Sequence, residues 1–233
     1  MNNSKSKCIV IAKRPVDQNT LSKLQLNGED LEFVSKARNL GITFNETLSW
    51  NDHIRSSIGK VYGMLRCLWH TKHCTPSHIR MLLAKAYLMP TLLYGCEIYA
   101  GCDSIHAAKL NVLFNNITRY IFNLKSTDST STYSIKIYNL TFNELLNLKQ
   151  LCFLHKIIAT REPRYLFEKI TFLRSVRRNN LRSCTYQSLN SERQFFVRST
   201  RLWNNLPTHL QRIDNIQMFK KELLKNNRYL RDI

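Results

Sequence analysis

The stretch Asn39–Ile54, NLGITFNETLSWNDHI, constrains this chain more than any other part of it. Leu40, Ile42 and Phe44 alternate with Gly41, Thr43 and Asn45, the period of a strand with one covered face. Asn45 and Glu46 break the alternation. Ser49, followed three residues later by Asp52, then has the spacing of a helix capping box, with Asp in the place of the usual Glu. A strand therefore hands over to a helix within a few residues. Patterns upstream of this point read as strand, and nearly all patterns downstream read as helix. The implied class is α+β, mainly α: a small antiparallel sheet followed by a helical bundle.

Upstream, Cys8–Ala12 is an unbroken apolar run, expected as a strand covered on both faces. Leu24 and Leu26 flank Gln25, Asn27-Gly28 supplies a tight turn, and Leu31 and Phe33 resume the alternation, which predicts a hairpin. The third strand is Leu40–Phe44. Downstream, Ile54, Ile58, Val61, Tyr62, Leu65, Leu68 and Trp69 recur at helical spacing and predict a helix over about Trp50–His70. Thr75-Pro76 reads as N-cap and first turn of the next helix, which Pro90 ends or kinks. Leu92–Tyr99 is apolar on nearly every side and is expected at the centre of the core. A helix from Ser104 towards Phe122 follows, then a polar loop at Ser126–Thr132 and a short element over Tyr133–Tyr138. The capping box Thr141/Glu144 opens an amphipathic helix over Phe142–Ala159. Phe172–Asn190 reads as an exposed basic loop. Two further helices are expected, Glu192–Trp203 capped by Ser191 and Ile216–Tyr229. The chain divides on these patterns into a sheet segment 1–48, a helical segment 49–171 and a basic C-terminal region 172–233.

Charge narrows the partners. Against 35 Lys and Arg stand 16 Asp and Glu, a formal net charge of +19. Such a field attracts polyanions: nucleic acid first, anionic membrane surfaces second, acidic proteins third. The most apolar stretch, Ile79–Ala100, is interrupted by Arg80, Lys85, Pro90 and Glu97. Its uncharged part falls well short of the roughly 18 residues of a membrane span, so no membrane partner is expected. Seven cysteines cannot all pair with one another. With no signal-peptide pattern at the N-terminus, they read as free thiols in a reducing compartment.

The chemistry of a two-metal polymerase or nuclease needs carboxylates that converge on hard cations. The only adjacent acidic pair, Glu29-Asp30, sits beside the hairpin turn, so neither catalytic residues nor a metal site are expected. Cys67, His70, His73, Cys74 and His78 cluster locally, but their spacing matches no zinc finger. A helix C-terminus accounts for His70, Lys72 and His73 through its dipole. No glycine pattern cradles a phosphate. The positive signal is basic residues interleaved with aromatics. Arg177, Arg178, Arg182, Tyr186, Arg193, Phe195, Phe196, Arg198 and Arg201 suit phosphate contact and base stacking, or equally a solvated face over core aromatics.

Four stretches resemble the C-terminal part of the reverse transcriptase of non-LTR (LINE-type) retrotransposons, especially jockey-like elements. Asn2–Lys7 with Cys8–Ile11 resembles the family's N-P-x-K-T motif and its following strand, with Asn3 in the place of the Pro. Asn39–Trp50 resembles the L-G-[IV]-x-[IFL]-D-x-x-L-S-W segment. Leu88–Cys96 resembles the R-P-x-L-x-Y-G run. Arg201–Pro207 with Phe219-Lys220 resembles the R-x-W-N-x-L-P…F-K ending. The four lie in the family's order and span nearly the whole chain. The resemblance implies the end of a palm (1–48), a thumb (49–171) and a C-terminal region. It implies Lys5 near the phosphates of an incoming nucleotide and Leu40, Gly41 and Ile42 as a primer grip. It also implies backbone contacts to template and primer from Arg55, Lys60 and Arg66, to which the basic loop would add Arg174, Arg177, Arg178 and Arg182. The family uses Mg2+, but its [FY]-A-D-D motif lies upstream of the matched segments, so no catalytic or metal-binding residue is expected in this chain. The expected function is that of a truncated RNA-directed DNA polymerase, inactive alone, which binds RNA, DNA or their hybrid inside the cell, in cytoplasm or nucleus. Association with the missing N-terminal part of the polymerase is a further expected partnership. The alternative is a structural or interaction protein, a helical remnant without a specific nucleic-acid ligand.

Overall fold

A computed structural model describes residues 6–12, 22–173, 180–182 and 194–231. The chain forms two compact units, Met1–Gly59 and Lys60–Ile233. The architecture is α+β and mainly α, short strands first and helices after.

The first unit holds three two-stranded ladders among its described residues. β1 (Lys7–Cys8) runs parallel to β4 (Glu32–Phe33). β2 (Gln25–Leu26) and β3 (Glu29–Asp30) form one antiparallel hairpin; β5 (Lys36–Asn39) and β6 (Ile42–Asn45) form another. Both hairpins reverse through paired positive φ angles: 52° and 82° at Asn27 and Gly28, 47° and 83° at Leu40 and Gly41. That pairing is the geometry whose twist matches flanking strands. Three expectations change here. The sheet is not wholly antiparallel, because β1 joins in parallel. Of the run Cys8–Ala12 only Cys8 lies in a strand, and Ile11 is exposed. Leu40 does not open a strand but occupies the turn, 83% exposed. The alternation of Leu40 with Ile42 hid this reversal, and the charged strand β5 that it pairs with β6 carries no apolar alternation to announce it.

The switch from strand to helix is fastened by Asn45 rather than by a Ser49–Asp52 box. The Ser49 amide donates to Asn45 Oδ1 at 2.9 Å, and Asn45 Nδ2 donates to Ser49 Oγ at 2.9 Å. Asp52 is committed elsewhere, accepting from Lys36 Nζ at 2.9 Å and from Asn45 Nδ2 at 3.3 Å. Phe44 and Trp50 meet edge to face across the same corner.

Helix α1 (Asn51–Trp69) runs from the first unit into the second. Next comes α2 (Ser77–Leu83). Thr75 does not cap it; its hydroxyl donates back to the Thr71 carbonyl at 2.8 Å. Pro90 does not end the helix either. A π-turn over Ala84–Leu88 widens the coil immediately before it, and α3 (Met89–Leu92) carries the proline in its first turn. The wider turn makes room for the ring of an internal proline, which has no N–H to donate. Gly95, at φ 67°, turns the chain into α4 (Cys96–Tyr99), where the buried Tyr99 hydroxyl donates to the Leu92 carbonyl. α5 (Ser104–Phe122) starts on Asp103, whose carboxylate accepts from the His106 amide at 2.8 Å. α6 (Ser131–Tyr138) follows, then α7 (Phe142–Thr160), α8 (Arg164–Phe167), α9 (Phe195–Asn204), α10 (Thr208–Gln211), α11 (Ile216–Lys225) and a 3-10 turn at Asn227–Leu230. Both halves of the Thr141–Glu144 capping box are present. The start expected at Glu192 and its cap Ser191 lie outside the described residues.

The centre of the second unit is α7, not Leu92–Tyr99 alone. α4, α8, α9, α11 and the 3-10 turn all pack on it. Its sequence reads as amphipathic because polar residues interrupt the leucines, yet Glu144, Asn147, Gln150 and His155 among them are buried and bonded. Asn147 Nδ2 donates to the Leu230 carbonyl at 2.8 Å, and Gln150 Nε2 to the Glu97 carbonyl at 3.2 Å. Arg198 reaches both from α9, Nη2 to Asn147 Oδ1 at 2.8 Å and Nε to Gln150 Oε1 at 3.1 Å. Buried polar groups stay buried at low cost only when paired in this way. Trp203, Leu206, Phe219 and Leu223 complete the core from the C-terminal side.

Candidate nucleic-acid interface

The residues expected to face nucleic acid fall into three groups. Lys5, Arg174, Arg177 and Arg178 lie outside the described residues, as do Tyr186 and Arg193. Leu40, Gly41 and Ile42 form the tip and first residue of the β5–β6 hairpin, with Leu40 exposed and Ile42 half-buried. Arg55, Lys60, Arg66 and Arg182 are exposed. Arg55 belongs to the first unit, and Lys60 and Arg66 to the second. Within the second unit Lys60 and Arg66 do not converge, since six residues along a helix of 3.6 per turn point about 120° apart. Arg182 is tied through its amide to the Thr171 carbonyl at 2.7 Å, beside the single bridge of Phe172 to Leu181.

Arg66 has aromatic company that the sequence reading assigned to the core. Tyr62 and Trp69 recur at helical spacing with Leu65, but they are 38% and 40% exposed. Four and three residues either side of Arg66, they share its stripe of α1. Together with Leu65, His70 and Asn116 of α5 they line an open cavity of about 370 Å³. Asn116 is held from both sides: its Nδ2 donates to the Tyr62 hydroxyl at 2.9 Å, and Arg119 Nη1 donates to its Oδ1 at 3.3 Å. A guanidinium, two ring faces and an amide around one hollow are the groups that hold a phosphate and a stacked base. The signal in the sequence was Tyr62-x3-Arg66-x2-Trp69, visible but indistinguishable there from a buried stripe.

Other candidates resolve into packing. Arg198 spends its guanidinium on Asn147 and Gln150, and is removed from the set of phosphate contacts. Phe195 packs against Phe153 and Phe196. Asn204 clamps Leu181, accepting from its amide and donating to its carbonyl, both at 2.8 Å. Of the ending that resembles the retroelement family, Trp203, Leu206 and Phe219 are therefore core and Asn204 a clamp, while Arg201 is exposed. Asp30 of the Glu29-Asp30 pair accepts from Gln25 at 2.8 Å and pairs with Lys23 at 3.1 Å. These bonds, Gln25 first, hold its carboxyl below its ordinary value. Cys67, His70, His73, Cys74 and His78 are all exposed, and among the described residues no group of three or more His, Cys, Asp or Glu is placed to hold a metal ion. The six described cysteines are free. Burial, with Glu97 beside it, pushes the Cys96 thiol up to about 12, and burial also raises Cys152; an activated nucleophile needs the opposite shift. Among the described residues no helix is long and apolar enough to cross a membrane.

Fold and surface together define a basic α+β protein, mainly helical, with a cationic and aromatic hollow between α1 and α5. No protein-family model, no curated protein and no solved structure matches the chain.

Proposed function

We propose that this chain is the nucleic-acid-gripping tail of a non-LTR retrotransposon reverse transcriptase, the end of the palm with the thumb and C-terminal region, and that it binds RNA, DNA or their hybrid without carrying out polymerisation itself. The observation that carries the reading is the Tyr62–Arg66–Trp69 stripe on α1, the helix that the family resemblance makes the first thumb helix. The net charge of +19 supports it, because a polyanion is the partner such a field favours. On this reading the catalytic carboxylates and their Mg2+ belong to an upstream part of the polymerase, which the sheet of the first unit would join, and the protein works in the cytoplasm or nucleus.

The test is fluorescence anisotropy of a labelled RNA–DNA hybrid across a salt series. Log affinity should fall linearly with log salt, with a slope near one per phosphate contacted. Hybrid should bind more tightly than heparin of equal charge. Equal binding to any polyanion would favour the competing reading, a helical interaction protein whose charge has no specific ligand. Absence of binding at low salt would end the nucleic-acid reading.

A further inference from the structure

Two cations are buried near Trp69, which lines the hollow, and among the described residues no anion meets them. Lys72 lies in the turn after α1 and is 6% exposed; Arg80 lies on α2 and is also 6% exposed. Arg80 Nη1 donates to the Lys72 backbone carbonyl at 2.9 Å, which fixes the guanidinium against the turn. Lys72 Nζ stands 4.2 Å from the centre of the Trp69 ring. Among the described residues neither cation enters an ion pair. Arg80 Nε is buried without a hydrogen-bond partner, and so is the hydroxyl of Tyr120 on α5, a fully buried residue whose ring lies 6.1 Å from Trp69. The Arg80 Nε and the Tyr120 hydroxyl, withdrawn from water without a partner, each carry a desolvation cost. The groups also act on one another. Burial first, and then the Arg80 charge, lowers the Lys72 ammonium from its ordinary value. Burial raises the Tyr120 phenol, and the Arg80 charge opposes that rise.

Ammonium, guanidinium and phenol offer donors and no carboxylate, the complement of an oxyanion with several acceptor oxygens. We propose that Lys72, Arg80 and Tyr120 form a pocket for a phosphate group, and that the hollow lined by Tyr62, Trp69 and Asn116 takes the base attached to that phosphate. Trp69 belongs to both halves. The pocket's ligand class, a phosphate ester bearing a nucleobase, rests on the nucleic-acid reading above; the pocket's affinity for phosphate itself does not. A phosphate inside a strand and a free nucleotide share this chemistry.

The first arm titrates the full chain with inorganic phosphate at constant ionic strength, following tryptophan emission against a chloride control. Phosphate draws the ammonium off the Trp69 ring, so emission should change saturably, and Trp69→Phe should abolish the change. The thermal midpoint should rise with phosphate, as for any ligand that binds only the folded state. The second arm measures a single-stranded RNA oligomer and adenosine monophosphate against Lys72→Met, with Lys221→Met, an exposed lysine on α11, as the control of equal charge. Lys72→Met should weaken the oligomer by about tenfold or more, the scale of one charge-assisted hydrogen bond, and Lys221→Met should not. Adenosine monophosphate binding more tightly than the oligomer would assign the pocket to a free nucleotide. A flat phosphate titration with no midpoint rise overturns the pocket even if Lys72→Met fails to fold, and leaves the nucleic-acid reading standing. Phosphate binding without RNA binding ends that reading and keeps the pocket.

Discussion

His155 shows how far a single side chain can be committed to structure. It is 2% exposed, stacks on Phe219 at 4.2 Å between ring centres, and meets Trp203 at 6.2 Å. Its Nε2 bonds the Ile213 carbonyl at 2.5 Å, so that nitrogen carries the proton. Nδ1 is buried without a partner. Protonation would place a second N–H there with nothing to accept it. Burial accordingly lowers the His155 pKa from its ordinary 6.5, and the Ile213 carbonyl and Asp214 offset only part of the effect. The direction of linkage follows. The unfolded chain takes up the proton first as pH falls, so the stability that neutral His155 contributes is complete above about 6.5 and is lost below it, until the folded form also protonates. In urea denaturation the midpoint should decline from pH 7.5 to pH 5. His155→Phe keeps the ring stack but has no proton to gain, and its midpoint should decline less over the same window. An identical decline in both proteins would refute the assignment.

At the scale of the element, α1 invites a substitution that strengthens it without touching its neighbours. Gly63 lies inside the helix, one residue from Tyr62, and a Cβ built there meets nothing within 4 Å. Gly63→Ala should stabilise the protein by about 0.5–1 kcal/mol through the lower entropy of the unfolded chain, read as a raised urea midpoint at unchanged slope. A fall in stability would mean that the stripe beside Tyr62 has a packing partner. The existence of α1 was legible because Ile54, Val61 and Leu65 keep helical spacing. The box at Thr141 and Glu144 was legible because its reciprocal bonds are local. The role of α7 was not, since Asn147, Gln150 and His155 interrupt the leucines as surface residues do. Partners distant in sequence, among them Glu97, Arg198, Ile213 and Leu230, make those positions interior. The candidate site divides in the same way. Arg66 could be chosen from the sequence by its charge and place on a helix. The buried pairing of Lys72 with Arg80 could not, because Lys72 read as a helix-end cation and Arg80 as an interruption of an apolar run, and only the packing of α2 against α5 removes them from water.

For the molecule as a whole, the two units differ sharply in what holds them. Among the described residues of Met1–Gly59, Ile54 is the only fully buried apolar side chain, and it lies on α1 rather than on a strand. The ladders β1–β4 and β2–β3 are two residues long, and β5–β6 is four. Their side chains are exposed or half-buried. Ion pairs trim these strands, Lys7 with Glu32 at 3.3 Å and Lys36 with Asp52 at 2.9 Å, and solvated pairs of this kind contribute at most about 1 kcal/mol each. In Lys60–Ile233, by contrast, Leu110, Leu113, Ile117 and Ile121 on α5 and Leu148, Leu151, Leu154 and Ile157 on α7 are shielded from solvent, each side chain contributing roughly 1.5–3 kcal/mol by its burial. Opening free energy should therefore be far from uniform. Amide hydrogen exchange at neutral pH should find the α7 amides exchanging only through global unfolding. The β5–β6 amides should exchange on the order of a hundredfold faster, through local opening. Asp52 links the ladder to acid. Its bonds to Lys36, and then to Asn45, lower its carboxyl from the ordinary range, so it contributes stability above the unfolded carboxylate value and loses it as pH falls through its folded one. Protection of β5 and β6, the observed rate relative to that of the unstructured amide at the same pH, should thus weaken further towards pH 3, beyond the change seen in α5. Equal protection of β6 and α7 would show that the strands are covered by more than their own pairing, and the ladders would then have to be counted as part of one cooperative core.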